Sequence, residues 1–445
     1  MAGLESTSPL RDRHERFAAE ESGRTPVLGS IERGGAASGH RIKAEHAVEL
    51  EYLPYADPAS DARPACELLA AYGPIEPEYA AIRRGSALFD ATFRGTILVT
   101  GSERREFLQR MLTQDLKTFP PGSSTRAFWL NRKGRIEADL VLGHLPASLP
   151  LTAERIQIDV DRTRAAEVVR SLSTFIFSED VCIEDATDRI HRLELHGPSS
   201  GRMLALAGAT SIPGPNEVTE TLLGGVPVVL VRADSLGERG WQIAADRSRI
   251  GEVWDALCSA RDPHDERRRV RPIGWHAYNT ARIEAGTPLF HIDFGTTNLP
   301  HESGVLRDRV SFRKGCYLGQ EVVARMESLG RPKQVLVGLR PTADLLPVAG
   351  SQVFLRSEAA ASNESEAETA GMIGEQVGSV TSSTLAPMLG AVPVAFAMIR
   401  TAHTEPGTRL LVNAEGSQCT AVVGPLRSWP APDATDAAAG AKGQP

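Results

Sequence analysis

The chain has 445 residues, with 49 Lys and Arg against 56 Asp and Glu and a net charge of −7. That length accommodates two or three domains with a substantial core, and the acidic balance argues against a nucleic-acid binder working through bulk charge. Five scattered cysteines (Cys66, Cys182, Cys258, Cys316, Cys419) form no C-x-x-C pair, which points away from zinc-ribbon and thioredoxin-like sites and fits a reducing compartment.

Met1-Ala2-Gly3-Leu4-Glu5 lacks a basic segment followed by an apolar core, and no apolar run approaches bilayer length. The expectation is a soluble, cytoplasmic protein with no membrane partner and no direct nucleic-acid contact. The densest basic run, Arg267-Arg268-Arg269 with Arg271, reads as a solvated face.

Residues 1–70 are polar and weakly periodic, so they are expected to form a partly disordered extension; only Cys66-Glu67-Leu68-Leu69 suggests a short helix. Order begins at Ile75, with a helix over 78–84 ending at Gly85 and a strand over 96–100. Ser102 is the expected N-cap of a helix over 103–114, in which Phe107, Leu108, Met111 and Leu112 recur at helical spacing. Strands are expected over 128–130 and 136–142, a half-buried one over 156–160, and a helix over 162–171. The pattern repeats with strands at 193–195, 226–231 and 240–243 and helices at 199–206, 250–258 and 273–285. Its alternation implies an α+β fold rather than a doubly wound parallel sheet, and there is no G-x-G-x-x-G or Walker A sequence.

After Pro332 short strands separated by turn residues predict a small β-barrel over 331–430. A Ser/Glu/Ala-rich stretch, 357–370, reads as a mobile insert and 431–445 as a disordered tail.

One stretch concentrates chemistry: Arg313-Lys314-Gly315-Cys316-Tyr317-Leu318-Gly319-Gln320-Glu321. A thiol near a cation and a helix N-terminus is favoured as the thiolate. The bland alternative is a small residue at a crowded turn. The stretch resembles the signature of YgfZ-type folate-binding proteins, relatives of the glycine-cleavage T-protein (aminomethyltransferase), and matches K-G-C-Y-x-G-Q-E throughout. Ala87-Leu88-Phe89-Asp90, 107–115, Arg282-Ile283-Glu284-Ala285-Gly286-Thr287-Pro288 and 380–390 resemble further family blocks, in order. The resemblance implies a three-domain ring around a central cavity for tetrahydrofolate or another reduced folate, with 75–330 as the folate-binding region.

The resemblance also assigns candidate residues. Asp139 falls where the T-protein has the carboxylate that assists chemistry at the folate amines; alone, it reads as a surface strand Asp. Glu238 and Gln242 lie in the stretch that would line the pterin, with Gln242 where the family usually has Glu. Tyr278-Asn279 replaces the Arg-Asp pair of aminomethyltransferases, which removes a bidentate carboxylate partner. Arg282, Lys314 and Arg313 are further candidates for the folate, and Cys316 for a working thiol. No metal-ligand spacing is present among His276, His291 and His301.

Two functions follow as expectations. The first is a tetrahydrofolate-dependent accessory protein for assembly or repair of iron–sulfur enzymes, with client enzymes or assembly factors as partners and effects on, for example, tRNA thio-modification. One cysteine cannot hold a cluster alone, so any cluster would be transient or shared. The second is an aminomethyltransferase or demethylase moving a one-carbon unit to tetrahydrofolate.

Overall fold

The computed structural model describes residues 7–22, 50–56, 65–147, 154–265, 269–356 and 373–428. The 357–370 insert, the 431–445 tail and Arg267-Arg268 lie outside them.

The first part of the chain contributes helix α1 (Arg11–Glu21) and strands β1 (Tyr52–Tyr55) and β2 (Cys66–Leu69). Leu10 and Ala18 are buried against Tyr72 and Trp254, and Arg13 clamps Asp255 through two hydrogen bonds of 2.9 and 2.8 Å. The helix expected at Cys66–Leu69 is instead a strand antiparallel to Tyr52–Tyr55. The reason is local: Cys66 and Leu68 enter one core cluster and Leu69 another, so the apolar residues serve two opposite faces, as strand geometry requires.

Two sheets follow. After α2 (Ile75–Arg84), strand β3 (Ser86–Asp90) joins the second sheet, while β4 (Arg94–Thr100) opens the first. Helix α3 (Arg104–Met111) leads into β5 (Ser124–Leu130), β6 (Ile136–Leu145) and β7 (Arg155–Asp161); α4 (Ala165–Ser173) precedes β8 (Cys182–Asp185). These give a five-stranded sheet in the order β5-β6-β7-β4-β8. Ser102 does not cap α3; its hydroxyl donates to Asp180, and Glu103 takes the cap position without a side-chain bond.

The second sheet adds β9 (Ile190–His196), α5 (Ser200–Leu206), β10 (Val218–Leu223), β11 (Val226–Arg232), β12 (Gly240–Asp246), α6 (Ile250–Ser259) and β13 (Val270–Ile273). Its order is β10-β11-β12-β9-β3-β13, antiparallel except for the β13–β3 pair. Such mixed pairing is what the α+β expectation describes. Helices α5 and α6 cover one face, where Trp241 and Ile243 pack with Met203 and Val253. The opposite face looks toward the first sheet, so β12 and β7 are buried on both sides rather than half-buried.

Helix α7 (Trp275–Glu284), the short α8 (Leu306–Arg309) and α9 (Gln320–Leu329) connect to the barrel. It closes in the order β14 (Gln334–Pro341), β17 (Val392–Arg400), β16 (Ile373–Ala386), β15 (Gln352–Arg356), β18 (Arg409–Ala414), β19 (Ser417–Gly424). Phe128 and Ile136 of the first sheet share a core cluster with Phe294, Val323 and barrel residues Leu336 and Phe396. The barrel is thereby packed against the first sheet rather than tethered. No helix among the described residues is long and apolar enough to cross a membrane.

Candidate functional site

Strand alternation decides what occupies the space between the sheets. On β12 Trp241 and Ile243 turn to the helices, so Gln242 and Ala244 turn inward. Register sets Gln242 opposite Glu194 and Val231, and Ala244 opposite Arg192 and Val229. On the facing sheet Thr96, Val141 and Asp159 lie in one row, with Arg126 opposite Val141 and Asp139 opposite Phe128.

At its deep end the space holds a cluster of buried charges. Asp159 takes Arg94 through bonds of 2.9 and 2.5 Å and Arg192 at 3.1 Å. Burial alone would raise the Asp159 pKa, but the two guanidiniums outweigh it and hold the group below its ordinary range. Across the gap, Glu194 accepts from Tyr278 at 3.1 Å and lies 2.9 Å from His196 Nε2. His196 likewise outweighs burial and lowers the Glu194 pKa. Gly240 is required here, because a Cβ would stand 2.1 Å from the His196 ring.

Gln242 bridges the two carboxylates, donating from Nε2 to Asp159 at 2.8 Å and to Glu194 at 3.4 Å. A carboxylate in its place would have no proton to give. The departure from the family's usual Glu therefore has a local cause: Glu194 already supplies the negative charge, and the position needs a donor. Gln242 Oε1 is buried and has no donor among the described residues.

Toward the mouth, Arg309 grips Asp139 through Nε and Nη2 at 3.2 and 3.3 Å. A cavity of about 590 Å³ opens beside them, lined by Arg126, Val141, Arg232, Asp234 and Asp308 among others. Burial pulls the Arg126 pKa down, with Arg309 adding to it and Asp139 and Asp308 opposing. A second cavity of about 480 Å³ lies past Gln157 and Ala244.

The structure thus gathers Asp139, Gln242 and Tyr278 along the intersheet space, and it separates the other candidates from them. Glu238 stands 3.7 Å from Arg83, whose other nitrogen holds Glu284 at 2.7 Å, and burial raises the Glu238 pKa despite that arginine. Arg282 is buried under the barrel, bonded to Asp293 at 2.7 Å, Ser382 at 2.8 Å and Asn279 at 2.8 Å. Its donors bind α7 to β16 and to the loop at Asp293. Tyr278 does reach the cluster, with its ring stacked on Phe89 at 4.3 Å.

Lys314 is neither a surface cation nor available for a folate tail. It is buried, and Nζ donates to the carbonyls of Gln109, Leu112 and Gln114 at 2.7, 2.5 and 2.9 Å. It closes the C-terminal end of α3, where carbonyls lack helical partners. Burial lowers its pKa to about 8, against the opposing charge of Asp115. Tyr317 is also buried, and Gly319, at φ +80°, precedes α9 where a Cβ would meet the Asn131 carbonyl at 2.6 Å. These residues dock the stretch onto the β5–β6 turn and α3. Cys316 is left exposed, and neither cavity lining includes it. It precedes the Gly319 cap of α9 by three positions.

Sequence reasoning missed Glu194, Asp159, Arg94, Arg192 and Arg126. The signal was available in part: in Leu193-Glu194-Leu195 and Ile158-Asp159-Val160 a carboxylate stands between apolar neighbours within a strand.

Comparison with known proteins agrees with this architecture. The GCVT N-terminal domain model matches residues 52–314 and the glycine cleavage T-protein C-terminal barrel domain model matches 335–427. Curated relatives include the aminomethyltransferase of Streptomyces coelicolor, 28% identical over 76% of this chain and 84% of that protein. That of Chlorobium limicola is 27% identical over 79% of this chain and 90% of its own. The crystal structure of glycine cleavage system aminomethyltransferase T from Bartonella henselae superposes with a TM-score of 0.73 at 20% identity, covering 96% of this chain and 98% of that one. The chain belongs to the glycine-cleavage T-protein family.

Proposed function

We propose that the protein binds tetrahydrofolate, or another reduced folate, between its two sheets and transfers a one-carbon unit to it from an N-methylated or aminomethyl donor. The observation that carries this reading is Asp139 held by Arg309, which also bonds Asp308 in the lining of a cavity of about 590 Å³. Two further features fit a folate: the buried Gln242 Oε1 has no donor among the described residues, and the cavity is of ligand size. The folate would supply the amines that accept the one-carbon unit. Asp139 takes a proton or stabilises positive charge near them, and Arg309 fixes its orientation. The curated relatives named aminomethyltransferase support this reading over a purely accessory role.

The test is methylene-tetrahydrofolate formation with N-methylated and aminomethyl donors, on the wild type and Asp139→Asn. A measurable rate that falls roughly a hundredfold or more in the variant supports the reading. A rate indifferent to Asp139 contradicts it.

One observation favours a second reading, an accessory role toward iron–sulfur enzymes. Cys316 is exposed between the buried Lys314 and Tyr317, which leaves a thiol presented outward. Iron–sulfur enzyme activity in a deletion strain carrying Cys316→Ala decides it: full rescue removes the role, and loss supports it.

A further inference from the structure

The mouth of the intersheet space holds a guanidinium that the fold itself does not use. Of the two arginines in the 590 Å³ cavity, Arg232 is committed to Asp234, with bonds of 2.5 and 3.2 Å. Asp139 and Asp308 are both taken by Arg309, Asp308 at 3.2 Å. Arg126 makes no hydrogen bond or ion pair among the described residues, although it lines the same cavity and feels Asp139 and Asp308 only at longer range. Arg126 is half-buried, and a guanidinium carries five donors that here are met by no side chain or carbonyl among the described residues. On β5 Arg126 is half-buried where the buried run Ala127, Phe128 and Trp129 begins, so its stem is held by the strand while its head faces the cavity.

We propose that Arg126 recognises a carboxylate on the ligand that enters this cavity. The inference deepens the one-carbon reading and rests on it. A planar fork matches a carboxylate bidentately. The same cavity is also lined by Asp115, Asp234 and Asp308, which disfavours a doubly charged phosphate and tolerates a singly charged group. Two sources offer that group: the glutamyl tail of the folate, or the carboxylate of an N-methylated amino-acid donor.

Calorimetric titrations separate them, using wild type, Arg126→Gln and Arg126→Lys, with thermal melts confirming that each folds. The ligands are tetrahydrofolate, 6,7-dimethyltetrahydropterin, which has no tail, and N-methylglycine added to the pterin-saturated protein. If the tail is the source, Arg126→Gln weakens tetrahydrofolate about tenfold or more, leaves the tail-less pterin unchanged, and Arg126→Lys recovers part of the loss. If the donor is the source, the same variant leaves tetrahydrofolate unchanged and weakens N-methylglycine by a similar factor. Wild type that binds tetrahydrofolate, with Arg126→Gln altering neither carboxylate ligand, overturns the inference alone. Wild type that binds neither folate nor pterin overturns it together with the one-carbon reading.

Discussion

Gln242 of one sheet donates to Asp159 of the other at 2.8 Å, and the same amide reaches Glu194 at 3.4 Å. The bond fixes the depth of the intersheet space and explains why an amide stands where a carboxylate was the family expectation. Gln242→Glu inserts a third carboxylate between two others, and like charges with burial raise its pKa. The folded variant then holds a proton that its unfolded chain releases, so its stability falls as pH rises. We predict a loss of about 2–3 kcal/mol at pH 8 that shrinks by pH 5. Thermal melts at both values check it; a deficit independent of pH contradicts the bridging role.

Lys314 supplies three donors to the end of α3, and Lys314→Met leaves three carbonyls without them. The expected cost is about 3 kcal/mol, because unmade bonds to buried acceptors carry a desolvation penalty. Urea unfolding measures it. Unchanged stability with a selective loss of folate affinity contradicts the structural assignment.

His14 of α1 is buried, donating to or accepting from Tyr52 at 3.2 Å, and burial lowers its pKa to about 4. The folded chain therefore excludes a proton that the unfolded segment binds from about pH 6.5 downward. Stability linked to this histidine is complete above pH 6.5 and is lost progressively toward pH 4. Hydrogen-exchange protection over Arg11–Glu21, taken relative to the intrinsic rate at each pH, is expected to fall across that window in wild type and much less in His14→Phe. Equal pH dependence in both proteins contradicts it.

Arg282 and Asp293 form a buried pair at 2.7 Å beneath the barrel. Removing only one partner leaves a buried charge, so Arg282→Met is predicted to cost about 3–5 kcal/mol. Denaturant titration checks this, and a loss below 1 kcal/mol contradicts the joint between α7 and β16.

Much of the fold was legible because apolar periodicity separates strands such as Val226–Arg232 from helices such as Ile250–Ser259, and the barrel strands are punctuated by turn residues. The site was less legible. Asp139 and Gln242 were reached only through resemblance, and the partners that hold Glu238, Arg282 and Lys314 were not foreseen, since motif position does not say which way a side chain turns. Lys314 and Arg282 are spent on carbonyls and on Asp293 contributed by segments brought close only by folding. Glu194 and Asp159 escaped notice because a carboxylate on a strand acquires meaning only when folding brings Arg94, Arg192 and Gln242 to it.

Calorimetric titration of the full chain with tetrahydrofolate decides whether the intersheet space receives a reduced folate. Saturable one-to-one binding, weakened by Gln242→Leu in protein that still folds, is the expected result. No heat of binding with tetrahydrofolate or any other reduced folate would contradict it.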